Sequence, residues 1–316
     1  MSEVQTAVYF ICDDLSKDPA GPRVLERVRA LRNPQPCGLE LDGRAVLAET
    51  DPLGNRLIYV PTRDVVSHDY PHFAPLMSAH FAEVDIAGCV NWHEGANAPD
   101  AIFTVHTTGD VDAGVFGAMS PRWVRALMLQ LERARAQAGM ETWSVQTEGT
   151  HWSGILHGGR PEWVLEFAAP LVDIEIGSSL ASWSNATAVD VVARGIAGVF
   201  LEPEPSRPLR SVLCVGGVHI ETAFVRAVLQ EPNTHPVAIS HVLSNQWLVT
   251  GRYEDPSGLE RLRRCVQSIN GGVHGIAFHD NLKGPHKTLV RDLAAELGVP
   301  AFKHRAMREP ASLPLW

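Results

Sequence analysis

Several short polar segments of this chain hold the residue types from which acid–base or metal chemistry is built, and they cluster just after apolar runs. Asp13, Asp14, Ser16 and Asp18 follow Ala7–Ile11, and Trp92-His93-Glu94-Gly95 follows Val84–Cys89. His106-Thr107-Thr108-Gly109-Asp110 follows Ala101–Val105, and Glu148-Gly149-Thr150-His151 follows Trp143–Gln146. Gly216-Gly217-Val218-His219 follows Ser211–Val215, while Glu175 lies inside the apolar run Leu171–Ile176. Imidazoles and carboxylates converging on one crevice suit zinc, which prefers about four N, O or S ligands. They equally suit metal-free general acid–base work, because histidine titrates near neutrality. An acid within an apolar strand, such as Glu175, costs several kcal/mol unless it is paired or coordinated, so a salt bridge there competes with a catalytic role. The paired glycines before His219 let a substrate or phosphate approach the backbone, although a tight turn also explains them. His68, His72, His80, His157, His235 and His304 lack the strand-end position and read as structural or exposed. No His-Glu-x-x-His, Gly-x-Ser-x-Gly or Walker loop occurs, which removes the main support for zinc protease, serine hydrolase and NTPase chemistry.

The elements that must position these groups alternate between strand-like and helix-like runs. Strands are expected at Ala7–Ile11, Ala45–Leu47, Leu57–Val60, Val84–Cys89, Ala101–Val105, Trp143–Gln146, Trp163–Phe167 and Leu171–Ile176. Further strands are expected at Ser211–Val215, Gly275–Phe278 and Ala301–Lys303. Helical spacing marks Arg23–Leu31, Pro121–Gly139 (with Ser120 as N-cap), a long Trp183–Phe200, Glu221–Leu229 and Thr288–Leu297. This alternation predicts an α/β fold with a mixed, mostly parallel sheet and helices on both faces. In such sheets ligands bind beyond the carboxyl ends of the strands. Pro-rich Glu202–Pro208 is the best internal boundary, yet only loop-sized, so residues 1–316 are expected to form a single domain.

Composition narrows the class further. With 316 residues, 45% hydrophobic and 20% charged, the chain reads as an ordinary globular protein. No apolar run approaches the roughly 20 residues of a membrane span. The acidic N-terminus gives no export signal, so a cytoplasmic setting is expected. Cys12, Cys37, Cys89, Cys214 and Cys265 are odd in number and lack Cys-x-x-Cys spacing, which predicts reduced thiols. The net charge of −9 argues against a large nucleic-acid groove but leaves room for a small contact at one end of an RNA.

Taken in order, these motifs resemble the D-aminoacyl-tRNA deacylases of the archaeal and plant type. Asp18-Pro19-Ala20 is similar to that family's Asp-Pro-Ala-Ser, and His106-Thr107-Thr108-Gly109-Asp110 to its His-x-Thr-Gly-Asn. Glu148-Gly149-Thr150-His151 resembles Glu-Ala-Thr-His, and Ile174-Glu175-Ile176-Gly177-Ser178 matches Ile-Glu-Ile-Gly-Ser, with Trp183 in step. Gly216-Gly217-Val218-His219 is similar to Gly-Gly-Gly-His, and His241 falls on a later Gly-His pair. Lys283-Gly284 and the run to Leu297-Gly298 fit the closing strand–loop–helix–strand. The resemblance covers nearly the whole chain in collinear order. It implies a three-layer phosphorylase/hydrolase-like fold, zinc dependence, and hydrolysis of the ester between a D-amino acid and the tRNA 3′-adenosine.

The chain departs from that pattern where Trp152 replaces a second consecutive histidine, and at Gly21, Asp110 and Val218. The lost ligand leaves one zinc per chain as the expectation, and the added indole implies a reshaped pocket. His106, His151, Glu175 and Glu148 are the expected catalytic groups. His93, His106, His151, Glu175 and His219 are the candidate zinc ligands. Asp18, His93, Thr108, Gly216, Gly217 and Trp152 are expected to shape the substrate site. The expected partner is the acceptor end of a charged tRNA, with Lys283 and Lys287 as candidate phosphate contacts, or else a small acyl substrate. A metal-dependent amide or peptide hydrolase on the same scaffold is the alternative, and a non-catalytic binding protein a third reading.

Overall fold

Beginning with β1 (Thr6–Cys12), the apolar runs become strands whose side chains are shielded on both faces. A computed structural model of the chain describes residues 4–95, 98–202, 207–230 and 234–316. After β1 come α1 (Gly21–Arg32), β2 (Gln35–Leu41), β3 (Arg44–Thr50), β4 (Arg56–Thr62), α2 (Tyr70–Phe81), β5 (Ile86–Trp92) and β6 (Ile102–Thr107). The chain continues through β7 (Gly109–Asp110), β8 (Val115–Phe116), α3 (Pro121–Gln137), β9 (Ser144–Thr147), β10 (Leu171–Ile176), α4 (Leu180–Trp183) and α5 (Ala186–Ala197). It closes with β11 (Arg210–Val215), α6 (Thr222–Leu229), β12 (Val237–Leu243), α7 (Asn245–Thr250), α8 (Gly258–Gln267), β13 (Gly275–Phe278), α9 (Gly284–Leu297) and β14 (Ala301–Lys303).

Two compact units share this chain. One comprises Met1–Val105, Ala126–Val145 and Ser153–Glu202, the other His106–Arg125, Gln146–Trp152 and Pro203–Trp316. The expected boundary at Glu202–Pro208 falls partly on residues 203–206, which lie outside the described residues. An eight-stranded sheet runs in the order β2-β3-β4-β1-β5-β10-β6-β9. β1 pairs in parallel with β4 and β5, and β10 with β5, whereas β2, β3 and β4 form an antiparallel edge. The fold is thus the α/β type expected from the alternation, a large mixed and mostly parallel sheet flanked by helices. In the second unit a four-stranded sheet, β12-β11-β13-β14, is parallel throughout. Leu213, Val215, Leu243, Ile276, Phe278 and Leu293 form part of its core.

Two expected elements take another form. Trp163–Phe167 is not a strand: Pro161–Glu166 is a 3₁₀ helix opened by Pro161. Val164 is its buried residue, and the extended C-cap residue Phe167, three positions on, is buried after it, a spacing that suits a tight turn better than a pleat. The expected long helix Trp183–Phe200 is shorter: α4 ends at Trp183, α5 spans Ala186–Ala197, and a 3₁₀ turn follows at Val199–Leu201. Asn185 breaks it, because its side chain accepts from the Thr187 and Ala188 amides and so caps α5. Cys12, Cys89, Cys214 and Cys265 are buried free thiols and Cys37 is an exposed one. Among the described residues no helix is long and apolar enough to cross a membrane.

Candidate active site

The short segment after β9 organises a histidine–carboxylate cluster inside the second unit. Glu148 forms an antiparallel bridge with Ile220. The Gly149 amide donates to the His219 carbonyl at 2.7 Å, and the Thr150 amide to the Val242 carbonyl at 2.7 Å. Stapled to the β11 loop on one side and to β12 on the other, the segment holds Glu148 and His151 in fixed places. His106, near the end of β6, stacks on His151 with ring centroids 3.8 Å apart and planes 21° apart. The His219 ring lies 5.1 Å from His151. Its Nε2 is 2.7 Å from Glu148 Oε2. His106 and Glu148 are buried, while His151 and His219 keep a partial opening to solvent.

Trp247 on α7 walls the cluster, edge-on to His219 at 5.3 Å and tilted over His151 at 5.7 Å. Gly149 makes room for it, since a Cβ there would lie 2.7 Å from Trp247 Cζ3. Trp247 carried no sequence signal, because a lone Trp at the start of a short helix reads as packing.

Topology places the β11 loop at a crevice. The chain leaves β11 for β12 on one side and returns to β13 on the other, so a switch point lies between β11 and β13. Gly216 and Gly217 turn there with φ of 90° and 84°. A Cβ on them would lie 3.0 Å from His279 Cβ and from Glu221 Cγ, respectively. Glycine is therefore needed for both conformation and space.

Electrostatics favour a neutral imidazole at the centre. Desolvation, assisted by His106 and His219, pushes the His151 pKa down to about 3, although Glu148 opposes the shift. A neutral ring offers a lone pair to a proton or a metal ion.

The remaining expected residues take the following places. Thr108 is buried in the second unit, and its carbonyl accepts from the Gly117 amide at 3.0 Å. Trp152 is likewise buried. Lys283 is exposed at the start of α9, and Lys287 Nζ donates to the Asp280 carbonyl at 2.9 Å. In the first unit, His93 Nδ1 is 2.9 Å from Ser178 Oγ, and its carbonyl accepts from the Trp183 indole. Glu175 is buried on β10, where Thr104 Oγ1 donates to its Oε2 at 3.3 Å.

Asp18, fully buried, accepts from the Ala20 and Gly21 amides at 2.8 Å each. Desolvation nevertheless raises its pKa from 3.8 to about 7. The folded state therefore holds a proton that the unfolded state releases, and the stability this contributes is complete below about pH 4 and lost as the pH rises to about 7. Each unit of displacement corresponds to about 1.4 kcal/mol. Asp18→Asn keeps an oxygen acceptor without the charge. Urea denaturation from pH 4 to 8 should show the wild type weakening relative to Asp18→Asn as pH rises, whereas parallel curves would rule out a protonated Asp18.

The D-aminoacyl-tRNA deacylase family model matches residues 80–302, which contain the whole histidine–carboxylate cluster. The D-aminoacyl-tRNA deacylase of Pyrococcus abyssi is 24% identical over 270 residues, covering 84% of this chain and 89% of that protein. The Pyrococcus furiosus enzyme of the same name is 26% identical over 204 residues, covering 63% and 67%. A crystal structure of a conserved protein of unknown function superposes with a TM-score of 0.74 at 16% identity, covering 98% of each chain, so the fold is shared. The collinear motifs and these matches agree: the chain belongs to the D-aminoacyl-tRNA deacylase family.

Proposed function

We propose that the cluster of His106, Glu148, His151 and His219 hydrolyses the ester joining a D-amino acid to the 3′-adenosine of a charged tRNA. The observation that supports this most is the Glu148–His219 hydrogen bond beside the stacked His106–His151 pair. A carboxylate accepting from Nε2–H fixes the tautomer of His219 and leaves the lone pair on Nδ1. That Nδ1 is buried and has no hydrogen-bond partner among the described residues. It can therefore take the proton of a water attacking the ester carbonyl, and give it to the ribose ester oxygen as the acyl C–O bond breaks, which leaves a free ribose hydroxyl and the amino acid. An aminoacyl ester is already activated, so positioning of water and substrate supplies much of the rate.

One zinc ion belongs to the same reading. His106, Glu148 and His151 offer ligand atoms that all lie within 4.8 Å of one another. Two imidazoles and a carboxylate are a catalytic zinc donor set, with a fourth position open. When bound, zinc supplies a Lewis acid to polarise the ester carbonyl. His151, held neutral by its surroundings, needs to release no proton to serve as a ligand.

The test is release of D-tyrosine from D-Tyr-tRNA, with slower release of L-tyrosine from L-Tyr-tRNA. No hydrolysis of either at high enzyme would overturn the proposal. Cleavage of a peptide or amide in its place would favour a metal-dependent amide hydrolase on this scaffold.

An acidic chain needs a local RNA contact, and residues 279–308 hold six Lys or Arg against three acids in a chain of net charge −9. Lys283, Lys303 and Arg305 are exposed there, while Lys287 is half-buried. Lys283→Ala with Lys303→Ala is expected to raise KM for charged tRNA severalfold at unchanged kcat. The log–log salt dependence should flatten by about 0.7 for each phosphate that the variant no longer neutralises. An unchanged KM and salt slope would place the RNA on another surface.

A further inference from the structure

We propose that His241, on β12 and outside the reacting cluster, is a positioning residue that fixes the spacing of His106 and His151 through the threonines beside them. Its side chain is fully buried. Nδ1 lies 2.8 Å from Thr107 Oγ1 and 3.2 Å from Thr150 Oγ1. The two hydroxyls lie 2.8 Å from each other. Thr107 directly follows His106, and Thr150 directly precedes His151. One imidazole nitrogen thus holds together two segments far apart in sequence, each carrying one of the stacked rings.

The ring's partners favour one tautomer. Ser268 Oγ gives its hydrogen to the Cys265 carbonyl at 2.8 Å. It is then placed to accept from His241 Nε2–H, 2.9 Å away. The Nδ1 lone pair then accepts from the nearer hydroxyl, that of Thr107, and the Thr150 hydroxyl donates to Thr107 Oγ1. Thr150 Oγ1 also accepts from the Val242 amide at 3.0 Å, which ties the clamp to β12 itself. Desolvation pushes the His241 pKa down to about 3 against an opposing hydrogen bond to the Gly117 backbone, in keeping with a neutral ring that has no titrating role near neutrality. A ring satisfied on both nitrogens inside the fold can orient its neighbours without touching substrate.

The inference rests on the proposed deacylase reading, so its test has one arm that needs no activity. In protein labelled with 15N-histidine, His241 should show the neutral Nε2–H tautomer from pH 5 to 8. His241→Leu should shift the His106 and His151 ring resonances, and His241→Asn, whose Oδ1 replaces Nδ1 as acceptor, should restore them. In the kinetic arm His241→Leu is expected to lower kcat about 100-fold at nearly constant KM, the scale of a misplacement near 1 Å. His241→Asn should recover most of that loss. Adding Thr107→Val to His241→Leu should cost little more, because both remove the same constraint. A protonated or Nδ1–H imidazole, ring resonances unmoved by His241→Leu, or an Asn variant no better than Leu would each overturn the clamp. Absent deacylase activity in the wild type would count against the functional reading alone, since the resonances still test the clamp.

Discussion

Alanine at position 151 is expected to lower kcat for D-aminoacyl ester hydrolysis by about 100- to 10,000-fold, the range of a lost acid–base or ligand group. His151 is the ring that joins the cluster, stacked on His106 and 5.1 Å from His219. It is also the cleaner probe. His106 is 1% exposed, so its truncation leaves a cavity and costs stability as well as activity. His151 keeps a partial opening to solvent, and water can fill the space its ring vacates. A thermal midpoint close to wild type together with the collapsed kcat would separate chemistry from folding. The double variant His106→Ala/His151→Ala should be little worse than His151→Ala alone, as expected when groups act as one unit. A His151→Ala enzyme within tenfold of wild type would remove this cluster from the reaction.

Zinc and activity are expected to fall together when Glu148 loses its charge. Glu148→Gln preserves the shape and an oxygen able to accept from His219 Nε2, now 2.7 Å from Oε2. It removes the anionic member of the set formed with His106 and His151. An amide oxygen is a poor zinc ligand beside a carboxylate, so elemental analysis after equilibration with zinc should drop from about one ion per chain to well below it. The same variant should lose at least about 100-fold in kcat. Chelation should silence the wild type, with zinc restoring it and magnesium not, because a site rich in imidazole prefers the softer ion. Wild-type zinc content in Glu148→Gln would move the ion to other ligands.

The sequence conveyed the parts of the fold that rest on continuous apolar runs. Leu171–Ile176, Gly275–Phe278 and Ala301–Lys303 form strands over the expected residues, since each run is buried along its length or bounded by turn residues. β12 gave no such signal because Ser240 and His241 interrupt Val237–Leu243 with polar groups. Both are satisfied inside the fold, Ser240 by the Val212 carbonyl and His241 by its threonine and serine partners. Local pattern cannot show partners that arrive from elsewhere in the chain. The same limit governs the site. His106, Glu148, His151 and His219 stood out because each follows an apolar run, but the approach of Trp247 and the grip of His241 exist only in three dimensions.

The order in which the centre is synthesised follows from the division of the second unit along the chain. His106 and His151 leave the ribosome long before His219, His241 and Trp247, and the Thr107–His241 hydrogen bond spans 134 positions. At a synthesis rate of about 5–20 residues per second, those two imidazoles wait several seconds or more without the groups that hold them. Contacts so distant in sequence also slow closure of the finished chain. A nascent fragment that stops before β12 therefore carries His106 and His151 without His241, whose hydrogen bonds join the segments on which they sit.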